Sequence, residues 1–166
     1  MRFGVDLFPF PGFEEALGFG EQVERLGFDG VWAPDHMIFT RKEFLSPEIW
    51  EVLLAIGLRT SRIVVGTVVS DPHRYHPAFF AQRVATISQL VGEGRVILGL
   101  GVGESMNLDP YGILWDMPAD RTMEAIRVIR GLWQAASDSP FSFEGEFFRL
   151  RNAYLQVKSK GTVPIY

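Results

Sequence analysis

Residues 62–72 have the sequence RIVVGTVVSDP, and this stretch decides the fold class. From Arg62 to Val69 it is dense in Val and Ile without polar alternation, which predicts a strand buried on both faces. Ser70, Asp71 and a proline then end the strand. Such strands are typical of parallel sheets that are covered by helices, so the sequence predicts an α/β fold.

Similar segments lie on both sides of this strand, and each is followed by a stretch with helical spacing of apolar residues. Strands are predicted at residues 3–8, 30–33, 62–69 and 95–101, and helices at residues 16–26, 50–57, 77–91 and 123–133. This alternation predicts repeated βα units. Periodicity alone leaves two architectures open, a doubly wound sheet and a (β/α)8 barrel.

The segment after the fourth helix departs from the alternation. Residues 141–158 place four apolar side chains around Glu144-Gly145-Glu146, which predicts an inserted β-hairpin. Residues 163–166 (VPIY) then predict the start of a fifth strand. A (β/α)8 barrel normally takes about 250 residues, so residues 1–166 are expected to form the N-terminal four to five units of one barrel domain. Its open sheet edges are expected to pair with a second copy or with a complementary C-terminal fragment.

Composition excludes several classes of protein. The formal net charge is -4, without a basic run, so a nucleic-acid partner is not expected. The chain has no cysteine, which excludes disulfides and thiol catalysis. The opening MRFGVD has too short an apolar run for a signal peptide or a membrane span. A cytoplasmic location without a membrane partner is therefore predicted.

Polar residues follow each of the four strands, where the loops of α/β folds build ligand sites. Asp6 and Asp71 are explained equally well as turn formers or helix caps. Asp35-His36 is more specific, because an imidazole beside a carboxylate can act as a positioned proton donor or base near neutral pH.

Two other patterns match known site types only in part. His73 and His76 precede Pro77 with a spacing that suggests a metal pair, but no third ligand is near, so no metal site is predicted. Residues 99–103 (GLGVG) lack the third glycine of the dinucleotide-binding pattern and follow the fourth strand instead of the first. These glycines are instead expected to allow close backbone approach to a planar ligand, with Glu104 and Asn107 at its edge.

Three strand-end segments together resemble one protein family. Residues 30–36 (GVWAPDH) resemble the second-strand signature of F420-dependent members of the luciferase-like monooxygenase superfamily, an apolar run that ends in Asp-His. Residues 65–78 (VGTVVSDPHRYHPA) are similar to the strand-to-helix passage of methylenetetrahydromethanopterin reductases and F420-dependent dehydrogenases, and residues 95–104 (RVILGLGVGE) to the fourth-strand motif. The resemblance covers essentially the whole chain and implies a luciferase-like (β/α)8 barrel.

The resemblance also implies a cofactor, a reaction and site residues. The cofactor is coenzyme F420, with FMN as the alternative, and the reaction is hydride transfer between F420 and an electrophilic carbon of a small organic substrate. A non-prolyl cis peptide bond is expected at Val68-Val69. Asp35 and His36 would hydrogen-bond the ring or substrate, and Glu104 would be an acid or electrostatic stabiliser. The residues expected to contact the cofactor are Val68, Val69, Ser70, Gly101, Gly103 and Asn107.

Three functions remain open at this point: an F420-dependent reductase, an FMN-dependent monooxygenase, and a non-catalytic half-barrel that dimerises or stores flavin. One departure from the family bears on the substrate. Residues 37–40 (MIFT) lack the tryptophan that some sugar-phosphate dehydrogenases of the group carry shortly after the histidine. A sugar phosphate is therefore not expected as the substrate.

Overall fold

The computed structural model describes residues 1–166 and contains one parallel sheet and one antiparallel strand pair. The parallel strands are β1 (Gly4–Asp6), β2 (Gly30–Ala33), β3 (Val64–Thr67) and β4 (Val96–Ile97). They are followed in turn by helices α1 (Phe13–Arg25), α2 (Ile49–Arg59), α3 (Pro77–Val91) and α4 (Pro118–Gln134). Two short 3-10 helices, Ser105–Asn107 and Asp109–Tyr111, lie between β4 and α4, and β5 (Phe141–Glu144) and β6 (Arg149–Ala153) follow α4.

The order of the strands decides between the two architectures that the sequence leaves open. The parallel strands are hydrogen-bonded in the order β1-β2-β3-β4. A doubly wound sheet reverses its strand order at a switch point, whereas a barrel adds strands consecutively. The chain therefore has an α/β fold of the barrel type.

The last residues extend this sheet, as the sequence predicts. Leu98 and Ile165 form a parallel bridge, and the N–H of Tyr166 donates to the carbonyl of Leu98 at 3.0 Å. The N–H of Leu100 donates in turn to the carbonyl of Tyr166 at 2.8 Å. The start of a fifth parallel strand is thereby confirmed.

The helices cover one face of the sheet, and a single tryptophan covers much of the other face. The helix-facing core includes the fully buried Trp50, Leu53 and Phe80. On the opposite face a Cβ at Gly4 would lie 2.6 Å from Cδ1 of Trp32, and a Cβ at Gly66 would lie 2.7 Å from its Cζ3. The indole ring therefore lies across three strands and occupies the space that side chains at these glycines would need.

The strands β5 and β6 pair antiparallel within residues 141–158, and α4 holds them in place. Phe143 pairs with Leu150 in their register. The carboxylate of Glu124 accepts hydrogen bonds from the N–H groups of Glu146, at 2.8 Å, and Phe147, at 3.0 Å. The tight turn of the pair is thus anchored to α4 by one side chain. That this segment is an insertion into a complete barrel remains a prediction.

Replacing Glu124 with glutamine is expected to destabilise the fold in a pH-dependent way. Its slight burial opposes ionisation, but the backbone N–H groups of residues 146–148 outweigh this effect and lower the pKa of Glu124 below its ordinary 4.5. Because the pKa of Glu124 is lower in the folded state than in the unfolded state, the charged carboxylate stabilises the fold at pH values above 4.5. This stabilisation is lost as the pH falls through the folded-state pKa. We expect E124Q to lower the free energy of unfolding by about 1 kcal/mol at neutral pH, or about 2–4 °C in Tm.

The measurement is thermal unfolding of the wild type and of E124Q between pH 7 and pH 3. The gap in Tm should narrow as the pH falls, since the wild type then also loses the charge. The control is E43Q, because Glu43 is exposed and its side chain makes no hydrogen bond or ion pair. A gap of constant size across the pH range would contradict the anchoring role of the carboxylate.

Candidate active site

A cavity of about 210 Å³ opens at the C-terminal ends of β2, β3 and β4. Its walls come from the loops that follow these three strands. The lining residues are Asp35, His36, Val68, Val69, Asp71, Val102, Gly103, Glu104 and Asn107. The structure thus brings together all the predicted site residues except Ser70 and Gly101.

The peptide bond between Val68 and Val69 is cis, as the sequence comparison with the family predicts. It follows β3 directly, at the edge of the cavity. Val68 is 53% exposed and Val69 is 41% exposed, so both residues leave a large apolar surface uncovered by the protein. Exposed apolar surface in a concave site is typical of a wall against which a flat ligand packs.

Two of the glycines after β4, Gly99 and Gly101, lie close to residues 67 and 69 of the chain itself. A Cβ at Gly99 would overlap the carbonyl oxygen of Thr67 and lie 2.9 Å from its carbonyl carbon. A Cβ at Gly101 would overlap Val69 Cγ2. At these two positions a side chain would therefore collide with the end of β3 and with the bulge that follows it, and contact of Gly101 with a ligand remains a prediction. Gly103, with φ +74°, does line the cavity.

The carboxylate of Asp35 is buried and fully engaged by the protein. Its Oδ2 accepts a hydrogen bond from the Ser70 hydroxyl, which in turn accepts one from Trp50 Nε1 at 3.0 Å. Its Oδ1 forms an ion pair with Arg74 Nη2 at 3.0 Å. Burial raises the pKa of Asp35, although Arg74 and Ser70 oppose the shift. Both Asp35 and Ser70 thus use their polar atoms inside the protein, which fits positioning roles better than direct contact with a ligand.

His36 and Asn107 each carry one polar atom without a partner. The ring of His36 packs on Phe39 with centroids 4.8 Å apart, and its buried Nδ1 makes no hydrogen bond. Asn107 Oδ1 accepts from the N–H groups of Met37, at 2.7 Å, and Ile38, at 3.0 Å. The buried Nδ2 of Asn107 remains unsatisfied. Because buried polar atoms normally have partners, we expect a bound ligand to supply them at these two positions.

Glu104 lines the cavity with an exposed side chain that makes no hydrogen bond to the protein. Its carboxylate is free to meet a ligand, unlike that of Asp35.

Asp71 has the turn-forming role that the sequence leaves open, because its Oδ1 accepts from the N–H groups of His73, at 2.9 Å, and Arg74, at 3.1 Å. Of the two histidines in this loop, His76 caps α3, because its Nδ1 accepts from Ala78 N at 3.2 Å.

Arg74 is the residue of this region that sequence reasoning missed. Its side chain is 5% exposed and forms an ion pair with Asp71 as well as with Asp35. No sequence signal separates it from a solvent-exposed arginine, because its partner Asp35 lies far away along the chain.

None of the helices is long and apolar enough to cross a membrane.

A consecutive parallel βα sheet with an Asp-His pair, a cis-peptide bulge and a glycine-rich turn around one cavity defines a class of barrel proteins that bind their ligand at the C-terminal strand ends. The sequence profile of the luciferase-like monooxygenase family matches residues 1–166. The chain belongs to this family.

Two curated relatives are similar to this chain over all or most of its length. A 5,10-methylenetetrahydromethanopterin reductase of Archaeoglobus fulgidus is 31% identical over 166 residues, which are 100% of this chain and 46% of that protein. An F420-dependent glucose-6-phosphate dehydrogenase of Microbacterium testaceum is 35% identical over 160 residues, 93% of this chain and 46% of that protein. The chain thus spans about half the length of the curated relatives it matches.

A solved structure is similar over the whole chain. An F420-dependent secondary alcohol dehydrogenase in complex with an F420-acetone adduct superimposes with a TM-score of 0.88 at 32% sequence identity. The match covers 100% of this chain and 52% of the dehydrogenase.

Proposed function

We propose that this chain is part of an oxidoreductase that transfers a hydride between coenzyme F420 and an electrophilic carbon of a small organic substrate. The observation that carries the proposal is the cavity in which His36, the Val68-Val69 bulge and Glu104 meet. The F420 dependence named for relatives that are 32% and 35% identical to this chain supports the choice of cofactor.

The residues present fit a deazaflavin ring. The exposed faces of Val68 and Val69 suit the apolar face of a flat ring, and the unpartnered Asn107 Nδ2 suits its polar edge. Gly103 adds no side chain to the wall of the cavity. The same two valines also line a second cavity of about 420 Å³ on the Trp32 face of the sheet, so the bulge is accessible from both sides.

When bound, F420 would supply the hydride donor or acceptor at C5 of its ring. The chain's own residues would position the reactants and move protons. His36 is proposed to hold or deliver a proton through an imidazole nitrogen, since its Nδ1 has no partner in the protein. Glu104 is proposed as an acid or electrostatic stabiliser, and Asp35 acts through the loop it holds.

The proposal predicts that the 166-residue chain binds F420, and native mass spectrometry together with F420 fluorescence measures this. Retention of F420 supports the proposal, whereas retention of FMN alone assigns the chain to FMN-dependent monooxygenases. A stable dimer that retains neither indicates a non-catalytic half-barrel.

A matched pair of variants tests the site: V68S should weaken F420 binding about tenfold, whereas L90S should not. Val68 and Leu90 are 53% and 54% exposed, but only Val68 lines the cavity.

The masses in the native mass spectra also test which partner covers the open face of the sheet. The face of the sheet that carries Trp32 exposes Phe3, at 58%, and Tyr166, at 77%. We propose that a second copy or a complementary C-terminal fragment covers this face, because exposed apolar surface of this kind favours association. A monomer at all concentrations, soluble without a fragment, would contradict this expectation.

A further inference from the structure

We propose that Arg74 is a positioning residue, which fixes His36 and the Val68-Val69 bulge relative to each other across the cavity. The inference rests on the proposed function, because it assigns a purpose to a residue behind the same site. It concerns contacts made entirely within the chain.

The guanidinium of Arg74 joins the loops that follow β2 and β3. Its Nη2 lies 3.0 Å from Asp35 Oδ1, and its Nε donates to Asp71 Oδ2 at 2.6 Å. The same Nη2 donates to the main-chain carbonyl of Asp35 at 2.5 Å. This carbonyl belongs to the peptide bond between Asp35 and His36. The hydrogen bond therefore holds the orientation of the peptide plane next to the Cα of His36.

The network continues from Asp35 to the other wall of the cavity. Asp35 Oδ2 accepts from the hydroxyl of Ser70, the residue that directly follows Val69. Trp50, which is 1% exposed on α2, donates to the same hydroxyl and anchors it to the core. One chain of contacts thus connects the bulge, the Asp35-His36 loop and Arg74, and it lies directly behind the cavity.

The charge of Arg74 is paired with two carboxylates inside the protein. Burial alone would lower the pKa of Arg74, but the carboxylates of Asp35 and Asp71 outweigh this effect and raise it. The guanidinium is therefore charged, and its Nη2 and Nε are paired with the two carboxylates. A buried ion pair often adds little net stability compared with apolar residues of similar volume, so precise placement is the more fitting purpose for this one.

The test compares R74M, R74K and R83M. Methionine removes the charge and the hydrogen bonds, whereas lysine keeps the charge but cannot reach both carboxylates with a planar fork. Arg83 is the matched control, because it pairs with Glu48 at 3.0 Å, where both side chains are 30% exposed, and it lines neither of the cavities that contain Asp35. The first readout is the NMR signals of the His36 ring in the ligand-free chain, assigned with H36Q, and the second is the dissociation constant for F420.

We expect R74M to shift or broaden the His36 signals and to weaken F420 binding about tenfold, R74K to restore both in part, and R83M to change neither. A folded R74M with wild-type His36 signals overturns the inference. If R74M does not fold, R74K and S70A decide in the same way, because S70A removes the Ser70 hydroxyl from the network and leaves the contacts of Arg74 to Asp35 and Asp71 in place. His36 signals that depend on Arg74 in a chain that binds no F420 would refute the proposed function and leave the positioning role intact.

Discussion

Replacing Gly99 with alanine is expected to lower the free energy of unfolding by about 3 kcal/mol, or about 10 °C in Tm. The new Cβ would overlap the carbonyl oxygen of Thr67 and lie 2.9 Å from its carbonyl carbon. Neither backbone can move away easily, because the carbonyl of Gly99 accepts from Thr67 Oγ1 and from Ser70 N, both at 2.8 Å. Relief of the overlap would break the contacts that join β3 to the residues after β4.

The control for this substitution is G18A. Gly18 lies inside α1, where an added Cβ would meet nothing within 4 Å. Alanine is the better helix former, so G18A is expected to be neutral or to stabilise the chain by up to about 1 kcal/mol. Thermal unfolding of both variants in the same buffer is the measurement. A G99A protein that melts like the wild type would show that Gly99 does not pack against Thr67 in this way.

Replacing His36 with glutamine is expected to lower turnover by about 10²–10⁴-fold, the range that a positioned proton donor or base contributes. Stability should change little, because the buried Nδ1 of His36 makes no hydrogen bond that the fold would lose. The measurement is the oxidation rate of reduced F420 with acetone as the first electrophile, together with Tm. If H36Q merely unfolds the chain, the residue has a structural purpose and the catalytic assignment fails.

His76 provides the control, because its replacement is expected to change stability and not turnover. Its Nδ1 accepts from Ala78 N and caps α3, and it does not line the cavity. H76A is therefore expected to cost about 1 kcal/mol of stability and to leave turnover unchanged. E104Q should behave like H36Q in turnover and stability, since its side chain is exposed and makes no hydrogen bond to the protein. Loss of turnover in H76A at a temperature where it is folded would show that the assay reports stability and not chemistry.

Much of the site could be predicted because its residues directly follow strands that the sequence reveals. The apolar run before Asp35-His36 and the Val-rich segment before Ser70 are local patterns, and parallel strands bring their ends to one edge. The cavity that joins His36, Glu104 and Asn107 follows from this rule. The roles of these residues remain predictions. Their contacts were harder to foresee, because whether a carboxylate faces a ligand or an arginine depends on residues distant in the chain.

The succession of βα units could be predicted because hydrophobic period is a property of neighbouring residues, and the resemblance of short motifs predicted the family and, through it, the cis peptide bond at Val68-Val69. Which polar atoms are free depends instead on the tertiary structure. It showed that Asp35 is engaged by Ser70 and Arg74, and that Gly99 makes room for Thr67. Burial and pairing are set by packing between segments 30 or more residues apart, and a local pattern does not record them.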